Sequence, residues 1–156
     1  MHKILKTFAV LIFINIVLTQ TAFAITLDEG KQAFQTYMKE SNACSMTFIN
    51  MFDKNSVIKR IVFSKDGSSY VKIIPTAAYK TMLIGYSQAA VWQGYRNVYT
   101  NVSFQQSGDN VIVKATRHPS TSSEKLPATL IFHANAKGKI VIKEEIFNTN
   151  AGFLLK

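Results

Sequence analysis

Residues 97–148 constrain the fold more than any other stretch of this chain. Four runs of β-forming residues follow one another there, and they are separated by turn residues such as 107–109 and 135–139. In the first run, polar and apolar residues alternate from Val98 to Gln105, which is typical of a strand with one face in solvent. Four such runs predict an antiparallel meander. The N-terminal half of the chain must then cover one face of that sheet.

Two consecutive helices, or one long bent helix, are predicted ahead of the meander. Thr26, with Glu29 three residues later, has the pattern of a capping box and predicts a helix start. A second helical pattern of apolar residues runs through 44–52, and it ends in the turn-type residues 53–56. The inner face of both helices is rich in aromatic residues and methionine, which we interpret as core.

A short hairpin and a third helix complete the N-terminal half. Residues 57–64 and 70–74 are β-rich and flank a turn, which predicts a hairpin. Pro75 ends the second strand because it has no N–H to donate. Thr76 is the predicted cap of a helix over 77–90.

The first 24 residues have the pattern of a cleaved signal peptide. Lys3 and Lys6 precede an apolar run, and Ala22-Phe23-Ala24 offers the small residues that a signal peptidase requires. We therefore predict export to the periplasm or secretion, with residues 25–156 forming a single domain. The alternative is an uncleaved N-terminal anchor.

Charge and cysteine content narrow the possible functions. The chain carries a formal net charge of +9, but its basic residues are dispersed along the sequence. Such dispersion is typical of a solvated surface, and the alternative is contact with a polyanion or an anionic membrane face. Export argues against a nucleic-acid partner. With the membrane we expect at most peripheral contact. Cys44 is the only cysteine, so no internal disulfide can form. We expect it to be a small buried residue on a helix, and the alternatives are an intermolecular disulfide or a nucleophile.

The order of elements resembles the nuclear transport factor 2-like superfamily, whose members have a cystatin-like fold. The resemblance spans residues 26–148 and rests on element order. The stretches that carry it are TLDEGKQAFQTYMKESNACSMTFINMF, SSYVKIIPTAAYKTMLIGY, GYRNVYTNVSFQQSGDNVIVKATRHP and PATLIFHANAKGKIVIKEEIF.

This resemblance implies an α+β fold shaped as a cone. N-terminal helices would pack on a strongly curved antiparallel sheet of four long strands plus a short hairpin, with a pocket at the open end. Dimerisation through the outer sheet face is common in the superfamily, so a homodimer is a further expectation. Its isomerase-type members use a buried acid as a base and a tyrosine–acid pair as an oxyanion holder, and no residues here match those positions.

Candidate catalytic groups are few. Glu144 shares the predicted inward face of the last strand with Ile142, although its neighbours Lys143 and Glu145 favour an ordinary charged strand end. His133 and His118 can titrate in a useful range, although two histidines in a chain of this size are usually structural. No metal-ligand or phosphate-binding motif is present, so we predict neither a metal site nor a cofactor.

A group of aromatic residues is the stronger indication of a binding site. They surround the predicted third helix, and rings with polar tips suit a pocket wall, although they can equally fill the core. We therefore expect a non-catalytic module that binds an apolar small molecule or a protein partner in the cone or on the outer sheet face. The alternative is a small cofactor-free isomerase, dehydratase or cyclase. The predicted ligand-binding residues are Tyr79, Trp92, Tyr95 and Tyr99.

Overall fold

The computed structural model describes residues 23–150. The elements are α1 (Leu27–Asn42), α2 (Met46–Ile49), β1 (Phe52–Phe63), β2 (Ser69–Ile74), α3 (Thr76–Trp92), β3 (Asn97–Ser107), β4 (Asn110–Pro119), β5 (Leu126–Ala134) and β6 (Ile140–Asn150). The predicted signal peptide, residues 1–24, lies almost wholly outside the described residues. Within the described part, no helix is both long and apolar enough to cross a membrane.

All six strands belong to one curved, open sheet, with the order β2-β1-β6-β5-β4-β3. The predicted meander is confirmed, since β3, β4, β5 and β6 pair in sequence and antiparallel. The hairpin of β1 and β2 is also confirmed, and it joins the meander through a parallel pairing of β1 with β6. The α+β class with helices packed on a curved sheet is therefore confirmed.

Helix α1 lies across the inner face of the sheet, which is the face that the helices cover. Its capping box is confirmed, because the Thr26 side chain accepts from the backbone of Glu29 and the Glu29 carboxylate accepts from Thr26 N at 2.7 Å. The helix approaches β4 so closely at Gly30 that an added Cβ would lie 2.4 Å from Val111 Cγ1. Glycine is therefore required for this contact.

Three local predictions need correction. The second helix is a single turn, α2, and β1 already begins at Phe52. The turn-type residues after Phe52 lie inside β1. The Ser56 hydroxyl accepts from Asp53 N and donates to Ile142 O. The pairing of β1 with β6 is irregular at these residues. Thr76 does not cap α3: Pro75 occupies the cap position, and the Thr76 hydroxyl donates to Ser56 O at 2.5 Å.

Strand β6 contains a bulge that reverses the expected orientation of its glutamates. Phe132 pairs with Ile142, but the preceding Ile131 pairs with Glu144, so Lys143 is an extra residue on β6. Side chains beyond a one-residue bulge point to the opposite face from the one that simple alternation predicts. The prediction that Glu144 points inward is therefore wrong, and Glu145 is the inward carboxylate, with 0% exposure.

Candidate functional site

Four polar side chains meet in the interior between α1, α3 and the sheet, and we call them the central cluster: Tyr37, Arg60, Tyr79 and Glu145. Glu145 Oε1 accepts from Arg60 Nη2 at 2.6 Å and from the Tyr79 hydroxyl at 2.9 Å. Its other oxygen, Oε2, accepts from the Tyr37 hydroxyl at 3.0 Å. A fully buried carboxylate is thus neutralised by one guanidinium and held by two phenols, as burial of a charge requires.

The surroundings keep three members of the central cluster, Tyr37, Tyr79 and Arg60, in one protonation state. Burial, followed by the negative charge of Glu145, raises the pKa of Tyr37 and of Tyr79 well above the usual value for tyrosine, so both phenols remain donors. Burial opposes the charge of Arg60, but attraction to Glu145 outweighs it, and the pKa of Arg60 is raised. Arg60 also lies over the ring of Tyr79, with 5.2 Å from Cζ to the ring centroid.

Aromatic rings fill the space around the central cluster. Tyr37 and Phe48 have ring centroids 5.4 Å apart, Phe48 and Phe52 are 5.5 Å apart, and Phe52 and Tyr79 are 5.2 Å apart, all in edge-to-face contact. Such contacts are favourable packing of ring edges against ring faces. This interior is therefore a packed core.

A second group of side chains lies where the start of β3 meets the end of β4, and we call it the rim cluster: Tyr99, Arg117 and Phe147. Tyr99 and Arg117 are direct cross-strand partners on the inner face. The Arg117 guanidinium lies 4.8 Å from the Phe147 ring centroid, and Arg60 lies 5.0 Å from the same ring. Phe147 thus connects the two clusters.

Arg117 is a buried charge without a carboxylate partner among the described residues. It is 8% exposed, and its hydrogen bonds within residues 23–150 go to neutral oxygens: Nη1 donates to Asn97 Oδ1 at 3.2 Å and Nη2 to Asn148 O at 3.3 Å. Its Nε has no hydrogen-bond partner within the described part. A buried arginine is normally paired with an acid, so its charge is incompletely compensated.

The Tyr99 hydroxyl is a second buried group without a partner in residues 23–150. Burial raises the pKa of Tyr99, so the group is a protonated donor. No hydrogen bond of ordinary geometry joins it to the Tyr37 hydroxyl, whose proton is donated to Glu145 Oε2. Two cross-strand neighbours thus each retain an unused donor, and native interiors contain few such groups.

Solved structures share this architecture at very low sequence identity. A protein of unknown function from the DUF3225 family of Pectobacterium atrosepticum superposes with a TM-score of 0.58, at 11% identity over 78% of this chain and 88% of that chain. An NTF2-like protein with a cystatin-like fold from Novosphingobium aromaticivorans gives 0.54, at 9% identity over 78% and 79% of the two chains. The fold is that of the nuclear transport factor 2-like proteins. No family model and no curated protein matches the sequence.

The nuclear transport factor 2-like fold separates the four predicted ligand-binding aromatics. Tyr79 belongs to the central cluster and Tyr99 to the rim cluster. Tyr95 is half-buried, and its hydroxyl donates to Asn97 Oδ1 at 3.1 Å, so it supports a neighbour of Arg117. Trp92 lies at the end of α3 and is 92% exposed, away from both clusters.

The predicted catalytic candidates do not meet. Glu144 lies on the outer face of the sheet, where it forms an ion pair with Lys59. His118 shares a 2.8 Å hydrogen bond with the Thr100 hydroxyl near the end of β4. His133 is half-buried on β5, at the opposite end of the β4–β5 pairing, beside Asn110. The described residues contain no group of three or more His, Cys, Asp or Glu side chains placed to hold a metal ion.

Cys44 is not on a helix, contrary to the prediction. It lies between α1 and α2 with a φ of 48°, and its thiol is half-buried. Burial raises the pKa of the thiol, so the reactive thiolate is disfavoured.

A surface groove of about 440 Å³ lies apart from both clusters, between α1, α2 and the β5–β6 turn. Its lining is mixed polar and apolar and comprises Glu29, Gln32, Ala33, Thr36, Thr47, Asn50, Met51, Lys139 and Ile140. No buried charge is directed into it, so it does not have the features of the rim cluster.

Sequence reasoning missed Arg60, Arg117 and Glu145. Arg117 continues the alternation of Val111 and Val113 on β4, and this pattern alone places it on the inner face. Arg60 likewise lies between the buried Ile58 and Val62. An arginine on an apolar alternation was therefore the available signal.

Proposed function

We propose that this protein is an exported, non-catalytic module that binds an organic carboxylate with an apolar body at the rim cluster. The observation that carries the proposal is the Arg117 guanidinium, which is buried, lacks a carboxylate partner among the described residues and retains an unused Nε donor. A bound anion would compensate this charge.

The donors favour a carboxylate head group. A guanidinium presents N–H groups in a planar fork that matches the two oxygens of a carboxylate. The Tyr99 hydroxyl, on the adjacent strand, supplies a further donor. Phe147 and Leu126, which neighbour Arg117 on the inner face, offer apolar surface to the body of the ligand.

The central cluster supports binding over catalysis. Glu145 already accepts hydrogen bonds from Arg60, Tyr79 and Tyr37 and has no exposed surface. A general base must reach the proton that it removes, directly or through one water. In this interpretation Glu145 fixes the curved sheet and α3 around the binding site.

Native mass spectrometry tests this function with decanoate as the probe and decanol as its neutral analogue. The protein comprising residues 25–156 is expected to retain one decanoate and no decanol, and Arg117→Gln is expected to lose the adduct. Equal retention of both probes, or of decanoate by Arg117→Gln, contradicts the proposal. Expression of the full chain in a bacterium tests export: a periplasmic product beginning at Ile25 is expected, and an intact cytoplasmic product argues against it.

A further inference from the structure

Helix α3 exposes apolar side chains around most of its circumference. Tyr79 is its only buried residue, although the helix has 17 residues. Helices with apolar residues on all sides are usually buried. The exposed large apolar residues, which we call the α3 surface, are Met82, Ile84, Tyr86, Val91 and Trp92.

The sequence around the α3 surface contains no acid. Residues 67–108 include neither aspartate nor glutamate, but they include Lys72, Lys80 and Arg96. Lys72 lies on β2, Lys80 in the first half of α3 and Arg96 just after α3. None of the three forms an ion pair with another described residue. The apolar helix is thus accompanied by positive charge that no acid among the described residues pairs with.

We propose that the α3 surface docks the protein peripherally on an anionic lipid bilayer. Positive charge attracts a protein to an anionic membrane surface, where exposed apolar side chains can enter the headgroup region. Trp92 and Tyr86, which are 92% and 60% exposed, have the amphipathic rings that concentrate at this depth. On a bilayer, a module that binds carboxylates would encounter ligands with apolar chains. The docking proposal does not depend on the proposed carboxylate binding.

Charge complementarity selects lipid over a second copy of this chain. Two copies joined face to face through α3 would bring two sets of Lys72, Lys80 and Arg96 together with no acid from residues 67–108 to offset them. Like charges at an interface disfavour association. An anionic bilayer supplies the opposite charge and an apolar layer at the same surface.

Vesicle co-sedimentation tests the proposal with phosphatidylcholine alone and with phosphatidylcholine mixed with phosphatidylglycerol. The wild-type protein is expected to bind the mixed vesicles and to be released by salt. The variant Tyr86→Ser/Trp92→Ser and the variant Lys72→Gln/Lys80→Gln/Arg96→Gln are each expected to bind about tenfold more weakly or worse. Circular dichroism confirms that the variants are folded.

Two matched controls distinguish docking through α3 from nonspecific binding of exposed apolar residues and from the effect of net charge. Val71→Thr changes an exposed apolar residue on the edge strand β2, and Lys54→Gln/Lys137→Gln/Lys143→Gln removes the same charge from exposed positions elsewhere. Both controls are expected to bind within about twofold of wild type, apart from the weak effect of net charge. Any of three results overturns the proposal. The wild-type protein does not bind the mixed vesicles, the controls lose as much binding as the α3 variants, or the protein self-associates with increasing concentration and the α3 variants abolish this association.

Discussion

Arg60 Nη2 lies 2.6 Å from Glu145 Oε1 at a point in the core where the glutamate has no exposed surface. The pair joins β1 to β6, which are parallel neighbours, whereas the other neighbouring strands among the described residues are antiparallel. Tyr79 brings α3 to the same carboxylate and Tyr37 brings α1, so one charged group ties both larger helices to the sheet.

Removing the carboxylate of this pair is expected to destabilise the folded protein strongly. Glu145→Gln leaves the Arg60 charge buried without compensation and should lower the free energy of unfolding by about 3–5 kcal/mol. Glu144→Gln, the adjacent matched control, removes a partly exposed ion pair and should cost no more than about 1 kcal/mol. Urea unfolding followed by circular dichroism measures both. Similar losses at the two positions would contradict the assignment of Glu145 as the inward residue.

The two helical glycines should respond to alanine in opposite directions. Gly30→Ala places a methyl group against Val111, and overpacking of this kind should cost about 1–3 kcal/mol of stability. Gly85→Ala on α3 meets no atom within 4 Å and should stabilise by about 0.5–1 kcal/mol, because alanine is the better helix former. Thermal unfolding of both variants provides the comparison. A stabilised Gly30→Ala protein would show that α1 does not lie this close to β4.

His133 should reduce stability in acid. Burial, together with Lys143, holds the pKa of His133 below its usual value of 6.5, although Asp53 acts in the opposite direction. The unfolded chain therefore takes up this proton first as the pH falls, and the contribution of neutral His133 is lost below about pH 6.5. His133→Gln should flatten the pH dependence of the unfolding midpoint between pH 7 and about pH 5. Superimposable profiles for the two proteins would refute the shift.

Element order and periodicity were sufficient to predict most of this fold. The capping box at Thr26, the meander and the β1–β2 hairpin were predicted correctly because each depends on residues close together in the sequence. The failures are non-local. The bulge at Lys143 depends on how β6 pairs with β5, and it exchanged the roles of Glu144 and Glu145. Turn-type residues near Ser56 became part of a strand because β6 supplied a hydrogen-bond acceptor.

The candidate site was predicted less well than the fold, for a related reason. Tyr79 and Tyr99 were singled out as amphipathic rings, but nothing local distinguishes them from the exposed Trp92. The charge of Arg117 becomes informative only once its partners are known, because an arginine on a strand is ordinary until it is buried without an acid. Partners of this kind come from other strands.

Calorimetric titration with decanoate tests the carboxylate-binding account most directly. Wild-type protein is expected to bind one decanoate, and Arg117→Gln should lose at least about tenfold in affinity because a buried charged hydrogen bond is removed. Lys114→Gln, which makes the same charge change on an exposed position of β4, should bind as wild type does. Equal weakening in the two variants, or no heat of binding in the wild-type protein, would contradict the account.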